Sequence, residues 1–457
     1  MTTLETKKNL TPYWTDSCRE LSSHLWLPTK IDLLDLGQNS LNTWSNKTVE
    51  NSWFSIKLIT HLQKPTCLAF STYSPVECID SENTLVKSKK IRIYPSSFQK
   101  ELLKECLGVS RYVYNKTIEY LKIPGTIASW LSIKTDILNS LPAWCKEVPY
   151  QIKSMAIKDA CLAVSNAKKK FKGSGQFNQV KFKSRKDPRQ SFYLPKSAVS
   201  EDGFYKTIFG EMVFKEPIPV DFKDCRLSFY LDKWYICVPY PSKVISTENQ
   251  GRIVSLDPGV RTFQTFYSEN SCGKLGDGDF GRIHRLCAYL DKLMSKKEKA
   301  PSRRKNSIKK AINSLRFKIK NLVDDLHHKV AYFLVTNFDT ILLPIFETQK
   351  MSSRTKRRIG KKSVRAMLTW AHFRFKNFLK SKAFEYGKTV IDVNEAYTSK
   401  TVSWTGEIVP NLGGSKSITS TLTGDIMDRD YNGARGIFLR ALVDSPSLFK
   451  TAIVNII

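Results

Sequence analysis

No two of the ten cysteines form a C-x-x-C pair, and none occurs after Cys287. Scattered at Cys18, Cys67, Cys78, Cys106, Cys145, Cys161, Cys225, Cys237, Cys272 and Cys287, they suit reduced core thiols. Such spacing excludes a disulfide framework and a thiolate zinc site. No apolar run reaches the length of about 18 residues that a membrane-spanning helix needs, and Met1–Thr11 lacks the apolar core of a secretory signal. A soluble, intracellular protein with no membrane partner is expected. Acids are scarce as well: 42 Asp and Glu stand against 73 Lys and Arg in 457 residues, a formal charge of +31. A polyanion is the expected partner, since each phosphate neutralised releases counterions whatever the nucleic-acid sequence. A basic surface serving solubility and attachment to an anionic membrane are the other readings of that charge. With 41% hydrophobic residues the chain has enough apolar material for a multidomain folded protein.

Residues 1–86 hold four of the nine tryptophans, Trp14, Trp26, Trp44 and Trp53, among Ser, Thr and Asn with weak periodicity. They are expected to form an extension that packs on something else. From Lys87 the pattern sharpens into a short strand, Ile91–Tyr94, a Pro-Ser-Ser turn able to cap a helix, and an amphipathic helix with Leu103, Leu107 and Val113 inward. Helical patterns continue to about Lys170. KKKFKGSGQFNQVKFKSRKDPR follows, with Lys168, Lys169, Lys170, Lys172, Lys181, Lys183, Arg185 and Lys186 interleaved with Phe171, Phe177 and Phe182. Cations mixed with aromatic faces hold phosphates and stack bases; a solvated basic loop with core phenylalanines is the bland reading. Residues 190–250 alternate like antiparallel strands, which with Ile91–Tyr94 predicts a small β-barrel or sheet.

Residues 251–457 predict an α/β layer fold. RIVSLDPGVRTFQTFYS gives a strand, a Pro-Gly turn and a second strand. A helix from Ile308 carries Ile312, Leu315, Ile319, Leu322, Leu326, Val330 and Phe333 on one stripe. TILLPI is a fully apolar strand of the parallel-sheet kind. A helix over about Ser363–Tyr386 ends at Gly387, TVIDVNE is the next strand, and the last helix starts at Asp430. Sites in such folds gather where strand ends converge, and three segments there end in acids: Asp257, Glu395 and Asp430. Three carboxylates suit a pair of Mg2+ ions that cut phosphodiesters. Taken singly, Asp257 reads equally as a turn residue before Pro258 and Asp430 as a helix cap.

SLDPGVRTFQTF, LLPIFETQKM, VRAMLTWAHFRFK, VNEAYTSKT, LGGSKS and DRDYNGARGI together resemble the Fanzor family, eukaryotic relatives of the bacterial TnpB proteins. IRIYPSSFQKELLKECLGVSRYVYNK extends the resemblance, so that it covers roughly residues 87–445. It implies a guide-RNA-dependent DNA endonuclease encoded by a mobile element. The guide, an omega-type RNA, pairs with target DNA, and the protein acts as a monomer in a ribonucleoprotein. It implies a multidomain α/β protein whose RNase H-like (RuvC) nuclease domain carries a helical insertion. The expected layout is a wedge-like β-barrel over 87–98 and 186–250, a helical recognition domain over 99–185, and the nuclease domain over 251–457. Residues 398–427 would be a degenerate zinc-finger-like insert, and the location nuclear in a eukaryotic host or otherwise intracellular. Asp257 matches the first acidic motif and Asp430 the third, with Asp428 supporting the turn.

The second acid departs from the TnpB pattern. Aligning on Met351 places the usual glutamate at Pro344, which leaves Glu347 and Glu395 as candidates. Glu395 is favoured, because parallel neighbours lie about 4.8 Å apart, whereas Glu347 would be displaced by about 10 Å along its strand. The paired cysteines of relatives correspond here to Val402, Thr405, Ser420 and Thr423, so no zinc is expected. The insert is expected either to be held by packing around residues such as Trp404 and Ile408 or to be partly disordered. Arg303 and Arg304, with Arg354, Lys356, Arg357 and Arg358, would line a heteroduplex channel, act as nuclear localisation signals or form solvated faces. Two competing functions are a nuclease-inactive, RNA-guided DNA-binding regulator and an RNase H-fold transposase.

Overall fold

The computed structural model describes residues 85–175, 177–245, 247, 251–346, 348–353, 360–395, 398–410 and 412–444. Glu347, Arg354, Lys356, Arg357, Arg358 and nearly all of the expected extension lie outside them. The chain divides into two compact units at Lys243–Val244.

The first unit begins with β1 (Leu85–Ile93) and α1 (Ser97–Tyr120). Ser96 Oγ accepts from Gln99 N at 3.2 Å and Gln99 Oε1 accepts from Ser96 N at 2.9 Å, so the expected cap is a full capping box. Leu103, Leu107 and Val113 are buried as the spacing requires. After α2 (Trp130–Asn139), α3 (Tyr150–Ser174) stops at Gly175, whose φ of 67° only glycine adopts freely. Next come β2 (Arg189–Leu194), β3 (Val199–Ser200), β4 (Gly203–Phe204), α4 (Lys206–Phe209), β5 (Cys225–Tyr230) and β6 (Lys233–Ser242). The main sheet has four antiparallel strands in the order β1-β6-β5-β2, and an Ile93–Phe214 bridge extends it beyond β1. Ile91, Phe192, Leu227 and Trp234 belong to its core.

The second unit opens with β7 (Ile253–Pro258), β8 (Gln264–Ser268) and β9 (Cys272–Leu275). Two helices follow, α5 (Asp279–Lys299) and α6 (Ser302–Asn337), then β10 (Thr340–Pro344) and α7 (Thr348–Ser352). The remaining elements are α8 (Lys361–Trp370), α9 (His372–Glu385), β11 (Thr389–Val393), β12 (Ser417–Thr419), β13 (Ile426–Asp428) and α10 (Arg429–Asp444). The five-stranded sheet runs β11-β10-β7-β8-β9; β7, β10 and β11 are parallel, and β8 and β9 antiparallel. This is the expected α/β architecture, with five additions that patterning missed: β9, α5, α7, β12 and β13. A further difference is that the helix expected over Ser363–Tyr386 is two helices. Ala371 takes φ 52°, ψ 52° and ends α8, with its N–H returning to Met367 O.

The break at Ala371 inserts His372 into an aromatic nest. Phe263 stacks on His327 at 5.1 Å and on His372 at 5.2 Å, with Trp370 and Phe375 around it. Burial pushes both imidazoles down to about 4. In the unfolded chain they bind a proton near pH 6.5, so between about pH 6.5 and 4 only the unfolded state is protonated and stability falls as pH falls. In the Asp257→Asn background, which removes a raised carboxyl of opposite linkage, the melting temperature at pH 5 should therefore lie several degrees below that at pH 7, measured by calorimetry. A melting temperature that holds or rises over that interval would contradict the buried-neutral assignment.

Candidate active site

Every second residue of β7 faces α10. Ile253 packs with Ala434 and Ile437, and Ser255 Oγ donates to Ala434 O at 2.7 Å. The same alternation carries Asp257, at the carboxyl end of β7, onto that face. Helix α10 meets it with glycine: a Cβ on Gly433 would collide with Asp257 Oδ2, and one on Gly436 would come 3.2 Å from Thr398 O. Between these glycines and the start of α10 lies Asp430, in the first turn of the helix. Asp428 accepts the Asp430 N–H at 2.9 Å, the supporting role expected of it.

Glu395 reaches the same place from β11. Leu342 pairs with Ser255, and Pro344 with Val393. Continuing the first register by two residues sets Asp257 level with Pro344, so position 344 is where an acid on β10 would stand beside Asp257. Val393 shares the buried cluster of Ile253 and Leu342 under α10, and Glu395 follows it by two residues, at the strand's tip. The Glu395 carbonyl is fixed by Thr398, whose Oγ1 donates to it at 2.9 Å. Lys376 and Lys380 donate to Asp392 at 2.8 and 2.9 Å and so hold β11 to α9.

These acids feel one another. The Asp257 carboxyl is pushed up to about 7, first by burial, then by the charges of Asp430 and Glu395, with Arg429 opposing. Asp430 is raised by burial and by Asp428, against Lys274, Arg429 and Arg261. Lys274, on β9, lies 2.7 Å from Asp428 Oδ2 and 3.9 Å from Asp430 Oδ2. Sequence reasoning missed it because β9 is a four-residue strand in a glycine-rich stretch. Three carboxylates kept near one another at a cost in charge are a hard-oxygen donor set whose charge a divalent cation would offset, and their chemistry fits Mg2+. Among the described residues no three His, Cys, Asp or Glu side chains converge into a ready-made cage. The acids are gathered without being closed around an ion.

Gly433 gives a test of this packing. A helical Gly→Ala change ordinarily stabilises by about 1 kcal/mol, but here the new methyl must displace the Asp257 carboxylate or lift α10. Gly433→Ala should lower any metal-dependent activity roughly tenfold and should fail to raise the melting temperature. A more stable, fully active variant would show that the close approach is unimportant.

The basic candidates fall into different settings. Lys168, Lys169, Lys170 and Lys172 line the exposed last turns of α3, and Lys181, Arg185 and Lys186 are exposed beyond it. Lys183 is engaged in the fold: its ammonium lies 3.9 Å from the Tyr114 ring centre and 3.8 Å from Asp159. Phe177 is 80% exposed, with its ring edge-on to Phe171. Arg303 and Arg304 are exposed in the first turn of α6. No described helix is long and apolar enough to cross a membrane.

The family described as "Cas12f1-like, TNB domain" matches residues 372–437, spanning α9, β11, the 398–427 insert and the start of α10. A family described as "Helix-turn-helix domain" matches residues 85–122, which fold as β1 and α1. The chain is 25% identical over 437 residues to the TnpB-like protein L79 of Acanthamoeba polyphaga mimivirus, a match covering 85% of this chain and 82% of that one. It is 27% identical over 389 residues to the putative transposase A625R of Paramecium bursaria Chlorella virus 1, covering 78% and 87%. Among solved structures it resembles the Cas12f1 chain of a Cas12f1–sgRNA–target DNA complex, with a TM-score of 0.45 and 13% identity over 80% of this chain and 99% of that one.

Proposed function

We propose that the chain belongs with the TnpB-like proteins, to which it is 25% identical over 85% of its length, and that it is a mobile-element DNA endonuclease directed by a guide RNA. The observation that carries this reading is the convergence of Asp257, Glu395 and Asp430 on the α10 side of the sheet, close enough for the latter two to raise the Asp257 carboxyl. The sheet bearing them is assigned as the RNase H-like (RuvC) nuclease domain. Asp257, Glu395 and Asp430 would hold two Mg2+ ions, which when bound activate a water and stabilise the leaving oxygen of the phosphodiester. Asp257 must lose its proton to join that donor set. Gly433 leaves its carboxylate room, and Asp428 with Lys274 steadies the first turn of α10 beneath Asp430.

The first unit is assigned to the wedge-like sheet and the helical recognition region. There Lys168, Lys169, Lys170, Lys172, Lys181, Arg185 and Lys186 would neutralise phosphates while Phe177 offers a stacking face. The partners are an omega-type guide RNA and target DNA in a monomeric ribonucleoprotein, and no zinc is called for. In a eukaryotic host the site of action is the nucleus. Full-length protein purified with its RNA, then given Mg2+ and DNA matching that RNA, should cut; EDTA should abolish cutting, and sequencing should return one discrete structured RNA. Binding without cutting would favour the second reading, an RNA-guided DNA-binding regulator. Pro344 at the level of Asp257 motivates that alternative, since a strand position suited to an acid carries none.

A further inference from the structure

Two turns in the 398–427 insert share one build. Val402-Ser-Trp-Thr405-Gly406 and Ser420-Thr-Leu-Thr423-Gly424 each close with the glycine N–H donating to the first residue's carbonyl, at 2.8 and 3.0 Å. Both glycines are left-handed, with φ 79° and 78°. Turns of this form can present side chains from their first and fourth residues to a common point, as paired metal ligands do. Here those residues are Val402, Thr405, Ser420 and Thr423, which supply no thiolate.

What joins the turns is a carboxylate. Glu407, just past the first turn, accepts hydroxyl hydrogen bonds from Thr405 at 2.8 Å and from Ser420 and Thr421, and the Thr421 N–H at 3.1 Å. Burial, which would raise this carboxyl, is overcome by the hydrogen bonds of Ser420, Thr421 and Thr405, and it falls to about 2. Trp404 Nε1 adds a bond to Thr423 Oγ1 at 3.4 Å. The expected packing around Trp404 and Ile408 is thus a lesser element: both are only half-buried, and the centre is polar.

Both turns also lead to α10. Beside the first, Ser403 N donates to Asn432 Oδ1 at 2.8 Å, and Asn432 Nδ2 donates to Thr401 O at 2.8 Å, with Asn432 fully buried. The second turn is the tip of the β12–β13 hairpin, whose return strand ends at Asp428 and runs directly into α10. A closed circuit results: Glu407, second turn, β13, Asp428 and Asp430, Asn432, first turn, Glu407. Asp430 sits on it between two anchored points.

We propose that Glu407 is a positioning residue, an anionic clamp that cross-links the two turns of a metal-free insert and thereby fixes the first turn of α10 and Asp430. The role in positioning Asp430 rests on the nuclease reading; the cross-link itself does not. Hydrogen exchange on the full chain tests the cross-link. In Glu407→Ala, amides of 401–409 and 417–428 should exchange at least about tenfold faster while the β7–β8 ladder stays within about twofold of wild type. Glu407→Gln, which keeps one carbonyl acceptor, should be intermediate. Adding Val402→Cys, Thr405→Cys, Ser420→Cys and Thr423→Cys to Glu407→Ala should restore slow exchange when Zn2+ is supplied, because one ion then spans the same turns. Cutting is the separate arm: Glu407→Ala should need about tenfold more Mg2+ for half-maximal cleavage, a shift of about 1.4 kcal/mol, and the zinc-loaded graft should reverse it. Exchange that is unchanged, or faster evenly along the chain, overturns the clamp. Faster local exchange with an unaltered Mg2+ requirement overturns the positioning of Asp430. A wild-type chain that does not cut overturns the nuclease reading and leaves exchange to decide the cross-link.

Discussion

Asp257→Asn should abolish cutting, lowering the rate at least about a thousandfold, or about 4 kcal/mol of barrier, while guide and target binding stay at the wild-type level. The same substitution should raise the melting temperature of the metal-free protein by a few degrees at pH 7.5. The two effects have one origin. Asp257 is partly buried against α10, and Asp430 and Glu395 add negative charge to the burial that already pushes its carboxyl up to about 7. Above that pH the folded chain holds an anion that the unfolded chain, with an ordinary carboxyl near 3.9, holds at no cost. The linkage is therefore adverse: the folded state binds the extra proton between about pH 4 and 7, and stability declines as pH rises through that window. Asparagine keeps the shape, removes the charge, and removes a ligand that a divalent cation would need. A purely structural aspartate would respond in the opposite way, losing stability and leaving cleavage untouched. Cleavage time courses, target-binding isotherms and calorimetry on one preparation separate the two cases.

The parts of this arrangement that were visible beforehand are those that hydrophobic period and turn chemistry dictate. TILLPI has no polar alternation because β10 is buried between β7 and β11, and Leu342 and Leu343 lie on opposite, covered faces. The α6 stripe was legible for the same reason, although Val323 is more deeply buried than the expected Leu322. Asp257 and Asp430 stood out because a strand and a helix each put an acid at the sheet's end. What stayed hidden was long-range and polar. Lys274 meets Asp428 across 154 residues of sequence, and a lysine in CGKL carries no signal of that pairing. Glu407 looked like one more polar residue in a polar insert, and only the return of Ser420 and Thr421 reveals it as a hub. The break at Ala371 had no glycine or proline to announce it; tertiary packing of Trp370 and His372 around Phe263 accounts for an alanine in the left-handed region.

Glu395→Gln should reduce cutting at least about a hundredfold, close to 3 kcal/mol, with Glu347→Gln staying within about threefold of wild type. Register supports the choice. Pro344 pairs with Val393 across a parallel ladder about 4.8 Å wide, and the residue two beyond Val393 is Glu395. Its longer side chain can return to the level of Asp257 from the tip of β11, and its charge is already felt there. On β10 the chain leaves the sheet at once. Ile345 N still donates to Val393 O at 3.2 Å, but Phe346 N turns back to Pro344 O at 3.0 Å, so the extended path ends before Glu347. Glutamine preserves the volume of Glu395 and one acceptor, so a loss of cleavage without a loss of melting temperature would isolate its charge as the functional quantity. A second signature follows from the same electrostatics: with Glu395 neutral, one of the charges raising Asp257 is gone, and the stabilisation conferred by Asp257→Asn should shrink in the double variant. If Glu347→Gln destroys cutting while Glu395→Gln retains it, the second ligand belongs to the segment after β10, and β11 serves only to brace the sheet.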